Sequence, residues 1–361
     1  MKELRLMKGN EALAEGAIRA GVDAYFGYPI TPQSEVMEYL TAEQPEKRTG
    51  MIVLQAESEI ASINMVYGAA GCGKRVMTSS SSPGISLMQE GISYLAGAEL
   101  PCLVVNVQRG GPGLGTIQPS QADYFQSVKG GGHGDYRLIV LAPESVQESY
   151  DFVALAFELA FRYRNPALIL SDGAIGQMME KVEIGDQTPR WTEDEINTLH
   201  GDWATLGKPK KRDHNVVTSL ELQSERQEKH NHKLQAKYKT IKETEVRYEE
   251  THTTDAEYLF VAYGMSARLC KKAIQMARAE GIKVGLLRPI TLWPYPESRL
   301  LELSAQVKGI LSVEMSSGQM IEDVRLSVRD RVPVQHFGRY GGMIPTPDEI
   351  VEALHQFVKD L

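Results

Sequence analysis

Val53 to Lys74, VLQAESEIASINMVYGAAGCGK, places two acids where a short apolar run gives way to an apolar helix. Met51 to Leu54 reads as a buried parallel strand, and from about Ser58 onward the apolar residues recur at helical spacing. At roughly 100° per residue, Ile60, Ile63, Val66, Tyr67 and Ala70 share one stripe; Glu59 falls about 30° from its centre and Glu57 about 130° away. Glu59 therefore points inward and Glu57 does not. A carboxylate on a buried face needs a hydrogen-bonding group, a metal or a ligand. The alternative is that Glu59 binds its own helix N-terminus, where acids are favoured.

Working outward, residues 10 to 180 alternate helical and strand patterns. Strands are expected over Asp23 to Gly27, Met51 to Leu54, Arg75 to Thr78, Cys102 to Gln108, Leu138 to Leu141 and Ala167 to Ser171. Helices are expected over 11–20, 35–43, 59–70, 84–97 and 144–162. Such alternation predicts a doubly wound parallel α/β sheet with helices on both faces. From about Gly185 to Asp255 the apolar rhythm fades into a connector. Its charge run, Leu220 to Glu250, reads as an exposed spacer helix with His230 and His232 on its surface. The βα rhythm returns at Tyr258, with strands over Tyr258 to Tyr263, Lys283 to Leu287, Ile310 to Glu314 and Val332 to Phe337, predicting a second, smaller α/β domain.

The chain has 361 residues, 42% hydrophobic and 24% charged, enough for two or three domains with a large core. No apolar run of about 18 residues occurs, and Met1 to Gly9 has mixed charge without a hydrophobic centre, which predicts neither membrane span nor secretory signal and points to the cytoplasm. Cys72, Cys102 and Cys270 lie far apart without a CxxC pair, as reduced structural thiols do; no metal site or cluster is expected on this chain. A net charge of −8 argues against nucleic-acid and anionic-membrane partners.

In a parallel sheet the loops beyond the carboxyl ends of the strands form the ligand crevice. Those loops carry Tyr28-Pro29-Ile30-Thr31-Pro32, then Glu59, then Ser79 to Ser82, then Arg109-Gly110-Gly111-Pro112-Gly113-Leu114-Gly115. Thr31, held between two prolines, either grips an anion with the helix start after Pro32 or is an ordinary N-cap. Arg109, followed by glycines that admit a ligand to the backbone, either pairs with a carboxylate or lies on the surface. Ser79 to Ser82 is either a small-residue ligand cradle or a helix cap, and a cap needs one serine only. His133, in Gly130 to Asp135, reads as part of a turn. Gly68 to Lys74 matches GxxxxGK, but Arg75 replaces the required Ser or Thr, so it is no P-loop.

YPITP at 28–32, QAESEIASINMVYGAA at 55–70, QRGGPGLGTIQPSQADYFQ at 108–126 and LSDG at 170–173 together resemble the 2-oxoacid:ferredoxin oxidoreductases, over nearly the whole chain. The resemblance is to the subunit carrying the pyrimidine-binding domain, in the 3-methyl-2-oxobutanoate (2-oxoisovalerate) branch. It implies a thiamine diphosphate pyrimidine domain at 1–185, a charged connector at 186–254 and a transketolase-C-terminal-like domain at 255–361. Glu59 takes the place of the glutamate that hydrogen-bonds the aminopyrimidine ring, while Thr31 and Arg109 take the places of the residues that hold the substrate carboxylate. Tyr28, Pro29, Ile30 and Ser81 are the further cofactor contacts expected. The implied reaction oxidatively decarboxylates a 2-oxoacid to acyl-CoA and carbon dioxide and reduces ferredoxin.

The sequence departs from the family at one point: it contains no GDG, the start of the diphosphate and magnesium motif, and Asp172-Gly173 follows Ser171. Thiamine diphosphate is therefore expected to be shared with a partner subunit that carries the diphosphate-binding domain and Mg2+. An iron–sulfur cluster is expected on another subunit, with ferredoxin, coenzyme A and a 2-oxoacid as further partners. Three readings compete: a 2-oxoglutarate-specific subunit, for which Lys129, His133 and Arg137 are candidate second cations; the β-type subunit of a lipoamide-linked 2-oxoacid dehydrogenase, against which YPITP speaks; and a noncatalytic scaffold.

Overall fold

The computed structural model describes residues 3–207 and 213–361; Met1, Lys2 and residues 208–212 of the connector lie outside the described residues. Seven strands form the first sheet, in the order Thr291–Trp293, Ile139–Leu141, Ala167–Asp172, Leu103–Gln108, Val76–Ser80, Ala24–Gly27, Ile52–Gln55. Six of them are parallel, and Thr291–Trp293 runs antiparallel at one edge. After Ile52–Gln55 the chain returns to the other side of Ala24–Gly27 and builds the sheet in the opposite direction. The order thus reverses between Ala24–Gly27 and Val76–Ser80, where open α/β sheets place their ligands.

Burial explains why these segments are strands. All five residues of Val76–Ser80 and all six of Leu103–Gln108 and of Ala167–Asp172 are buried, as central strands covered by helices on both faces must be. The stretch read as a buried strand at 51–54 is instead the exposed edge strand Ile52–Gln55: Met51 is buried, but Ile52 and Leu54 face out. With no neighbour beyond it, an edge strand lacks the cover of a central one.

The helix Glu59–Gly71 buries Glu59, Ser62, Ile63, Val66 and Ala70. Ile60, expected in the stripe, is 51% exposed. The buried face is centred on Glu59, Val66 and Ala70, and Ile60 lies about 100° from Glu59 around the axis, beyond its edge. Ile63 fills the space opposite Gly91 of the helix Ser82–Gly97, where a Cβ would come within 2.6 Å of it.

The second sheet orders Val334–Gly338, Gly309–Glu314, Tyr258–Val261, Val284–Pro289 and Tyr248–Thr251, parallel except for the last. Its core packs the helices Gly264–Ala279 and Pro347–Asp360 through Ala273, Ile274, Leu354 and Phe357. Two small pieces escape the expected pattern: Glu3–Lys8 pairs antiparallel with Met179–Ile184, and Thr291–Trp293 crosses from the second unit to close the first sheet.

The charge run of the connector is not a solvated spacer. Its helix, Ser224–Thr244, buries Leu234, Tyr238 and Ile241, a stripe spaced four and three residues apart inside the charged sequence. Lys233 and Lys237 both pair with the buried Glu99, and His230 Nε2 meets the Gly97 carbonyl at 2.7 Å, so His230 is an anchor and only His232 is surface.

Candidate functional site

The switch point collects the loops singled out above. Glu59 is 6% exposed, and its carboxylate takes no hydrogen bond from any described residue. It does not cap its own helix: Ser58 does, its Oγ accepting from Ala61 N at 3.2 Å. Glu57 is exposed and receives the Ser58 hydroxyl at 2.9 Å. Glu59 instead faces Gly84, at the start of the helix Ser82–Gly97. A Cβ on Gly84 would lie 2.1 Å from Ser80 Oγ and 2.6 Å from Glu59 Oε1. The bare glycine therefore leaves room beside the carboxylate that no other residue would.

Ser79 to Ser82 divide their work. Ser79 Oγ donates to Gln33 Oε1 at 2.6 Å and shares a 2.8 Å contact with the Tyr25 hydroxyl, which burial pushes up to about 12. Ser80 and Ser81 are buried with hydroxyls that find no partner among the described residues, and so is Thr78. Ser81 occupies the N-cap position but makes no side-chain cap. Buried hydroxyls are ordinarily satisfied, and here those of Thr78, Ser80 and Ser81 keep hydrogen-bonding capacity to spare.

Arg109 is not a surface arginine; it is 7% exposed. Its Nη1 donates to the Thr31 carbonyl at 2.9 Å and its Nη2 to the Leu114 carbonyl at 3.0 Å, while its buried Nε has no partner among the described residues. Thr31 is exposed and is not an N-cap, because the next helix begins at Ser34 behind Gln33. Tyr28, Pro29 and Ile30 precede it, Pro29 exposed and the other two half-buried, with Gln33 Nε2 donating to the Tyr28 carbonyl at 3.2 Å. The site thus brings Arg109 to Thr31, and Glu59 to the unpartnered serines.

Polar side chains link the Arg109 backbone to Ser82, the residue after the unpartnered serines. Ser82 Oγ donates to Asp123 Oδ2 at 2.6 Å and accepts from Arg109 N at 3.0 Å; Asn106 bonds both Asp123 and Ser82 N. Burial raises the Asp123 carboxyl above its usual range, and the bonds from Ser82 and Asn106 pull it back. In the sequence this link shows only as the polar cluster QPSQAD at 118–123 ahead of Tyr124-Phe125.

Beside Arg109 lies a cavity of about 480 Å³ walled by Pro83, Pro112, Leu114, Ala122 and Tyr340. Arg109 is the single cation among its lining residues and Asp123 the single acid. Lys129 and Arg137 sit elsewhere, on a second cavity of about 610 Å³ against the helix Ser224–Thr244, where Lys129 pairs with Asp323. His133 is exposed in its turn. Among the described residues no group of three or more His, Cys, Asp or Glu could hold a metal ion, and no helix is long and apolar enough to cross a membrane.

Residues 15–253 match the family profile described as "Pyruvate flavodoxin/ferredoxin oxidoreductase, thiamine diP-bdg", and residues 256–350 match "Pyruvate:ferredoxin oxidoreductase core domain II". The ketoisovalerate oxidoreductase subunit VorB of Methanothermobacter thermautotrophicus is 50% identical over 99% of this chain and 98% of its own length. A 2-oxoglutarate:ferredoxin oxidoreductase from Magnetococcus marinus, solved with 2-oxoglutarate, coenzyme A and succinyl-CoA, superposes with a TM-score of 0.85 at 29% identity. That match covers 98% of this chain and 65% of the other. A split gene transketolase, solved as an inactive β4 tetramer, shares the fold alone, at a TM-score of 0.58 and 13% identity over 98% of each chain.

Proposed function

The chain belongs to the pyruvate flavodoxin/ferredoxin oxidoreductase family, and from that premise we propose that it is the pyrimidine-binding subunit of a CoA-acylating 2-oxoacid:ferredoxin oxidoreductase acting on 3-methyl-2-oxobutanoate. The 2-oxoacid loses carbon dioxide, its acyl carbon is joined to the coenzyme A sulfur, and two electrons pass to ferredoxin. We read residues 1–185 as the pyrimidine-binding domain, 186–254 as the connector and 255–361 as the transketolase-C-terminal-like domain. Subunits with the diphosphate-binding domain and the iron–sulfur cluster complete the enzyme. The three free cysteines suit the cytoplasm.

The residues at the switch point suit thiamine diphosphate. The unpartnered Glu59 carboxylate, the open side of Gly84 and the spare hydroxyls of Ser80 and Ser81 offer a nitrogen-rich ring the hydrogen bonds they lack. Thiamine diphosphate, when bound, supplies the reactive carbon on which decarboxylation proceeds. Glu59 would hold a proton at the pyrimidine ring, Ser81, Tyr28, Pro29 and Ile30 would contact that ring, and Arg109 would orient the substrate 1-carboxylate beside Thr31. Because Arg109 is tied to two carbonyls, its direction is fixed before substrate arrives.

The observation that carries the substrate choice is the cavity beside Arg109. Its proline, leucine, alanine and tyrosine walls suit a branched aliphatic side chain, and a second carboxylate there would meet Asp123 with no further cation. The test is to reconstitute the complex and measure reduction of a low-potential acceptor with a panel of 2-oxoacids. The expected result is CoA-dependent reduction with the highest kcat/KM for 3-methyl-2-oxobutanoate. A preference for 2-oxoglutarate, or acyl transfer to lipoyl without acceptor reduction, overturns it.

A further inference from the structure

The loop that supplies Asp123 is held by the second α/β unit. Gln319, at the N-cap of the helix Met320–Val328, uses both ends of its side-chain amide: Nε2 donates to the Ala122 carbonyl at 2.6 Å and Oε1 accepts from Phe125 N at 2.8 Å. The two bonds straddle Asp123. Gln319 is itself fixed from behind, its backbone N–H donating to Glu314 Oε2 at 2.9 Å. Glu314 is fully buried and accepts from Ser312, Ser316, Gln319, Met320 and Ile321, so it is a saturated anchor that does not shift with its neighbours. On the other side of Asp123, Ser82 passes the constraint to the backbone of Arg109.

Resting on the function proposed above, we infer that Gln319 is a positioning residue for substrate carboxylate binding: by clipping residues 122–125 it fixes Asp123, and through Ser82 it holds the backbone from which the Arg109 guanidinium reaches the Thr31 and Leu114 carbonyls. Gln319 also lines the cavity beside Arg109; a role through contact alone would change the ranking of 2-oxoacids, whereas a role through Arg109 raises KM for all of them alike. A hydroxyl has one proton, and Ser82 Oγ can accept from Arg109 N while giving that proton to Asp123 only if the Asp123 carboxylate stays within reach. Were the 122–125 backbone to drift, Ser82 would donate instead to the Arg109 carbonyl, already 3.3 Å away. The Arg109 backbone would then rest on a hydroxyl no longer fixed to Asp123, and its position would loosen.

Mere adhesion between the two units is the competing explanation, and the same interface supplies its control. Arg268 Nη2 donates to Glu180 Oε1 at 2.5 Å between the two units, at a point outside residues 122–125. In the reconstituted complex, Gln319→Leu should raise KM for 3-methyl-2-oxobutanoate by about tenfold, with kcat within about twofold and KM for coenzyme A unchanged. Arg268→Met should leave all three constants near wild type even where it lowers the melting temperature as much. If Gln319→Leu fails to assemble, Ser82→Ala cuts the same line one step nearer Arg109 and must give the same selective rise. Unchanged substrate KM in either, or an equal change in Arg268→Met, overturns the inference. A wild-type complex without 2-oxoacid-dependent reduction would overturn the functional reading itself, and the inference with it.

Discussion

Arg109 Nη1 donates to the carbonyl oxygen of Thr31 at 2.9 Å, joining the loops that follow the first and fourth strands of the parallel sheet. The contact ties a guanidinium to backbone and, with the bond to the Leu114 carbonyl, fixes its direction. It also revises the role of Thr31: what reaches Arg109 is its carbonyl, while the residue itself is exposed. A planar guanidinium can bond the Thr31 and Leu114 carbonyls and still present N–H groups to a carboxylate, which an ammonium on a flexible stem does far less well.

Arg109→Lys should therefore behave almost as Arg109→Ala. Losing a charged hydrogen bond costs on the order of 1.5–3 kcal/mol, so kcat/KM should fall about 10- to 100-fold. All 2-oxoacids share the 1-carboxylate, and all should suffer alike in steady-state assays of the complex. Selective loss of one substrate would mean that Arg109 reads side chains.

Gly84→Ala tests the open side of Glu59. The new methyl group would meet Ser80 Oγ and Glu59 Oε1, both ends of side chains that can turn away, so the chain should fold with a melting temperature close to wild type. The displaced carboxylate should then cost cofactor binding at least about tenfold by calorimetry on the complex. Normal thiamine diphosphate affinity in this variant would remove Gly84 from the site.

Asp172 gives a stability prediction with a definite sign. Burial raises its carboxyl from 3.8 to about 6, against hydrogen bonds from Ile175 N and Ala174 N. Its folded form binds the proton more tightly than the unfolded chain, so the stabilisation is complete below the unfolded value and is lost as pH rises from about 4 to about 6. Asp172→Asn keeps an oxygen for the two N–H groups and cannot ionise. It should melt near wild type at about pH 4 and above it at about pH 7.5, by a margin on the order of 3 kcal/mol at most. A difference that does not change with pH would sink the assignment.

The parallel strands were legible because central ones carry short apolar runs, such as Leu103–Val105 and Ala167–Leu170, bounded by turn residues, and the burial of Glu59 was legible because helical phase is local. What escaped was decided by distant neighbours. Ile52 and Leu54 look like core residues, but no strand lies beyond them. Leu234, Tyr238 and Ile241 hide in a charge run whose partner, Glu99, is over a hundred residues earlier in the chain. Asp123 and Gln319 read as ordinary polar residues until residues 122–125 meet the second sheet. Lys129 and Arg137, proposed as a second substrate cation pair, turn out to serve another cavity.

Glu59 carries the sharpest prediction, because its surroundings separate the two explanations for a buried acid. Ser58 already caps the helix, so Glu59 has no capping work, and among the described residues its carboxylate has no partner. Removing an unpartnered buried charge stabilises a chain, so Glu59→Gln should raise the melting temperature of the free subunit. In the complex loaded with thiamine diphosphate that gain should vanish, because the wild-type carboxylate then has the ring to bond. Proton–deuterium exchange at the thiazolium carbon, and turnover with it, should slow by roughly 10²- to 10⁴-fold. Glu57→Gln, changing an exposed acid of the same loop, should alter exchange by less than about twofold. Equal melting gains in the free and loaded states would reduce Glu59 to a structural liability. Greater damage from Glu57→Gln would show that the helical phase and the motif register both point to the wrong acid.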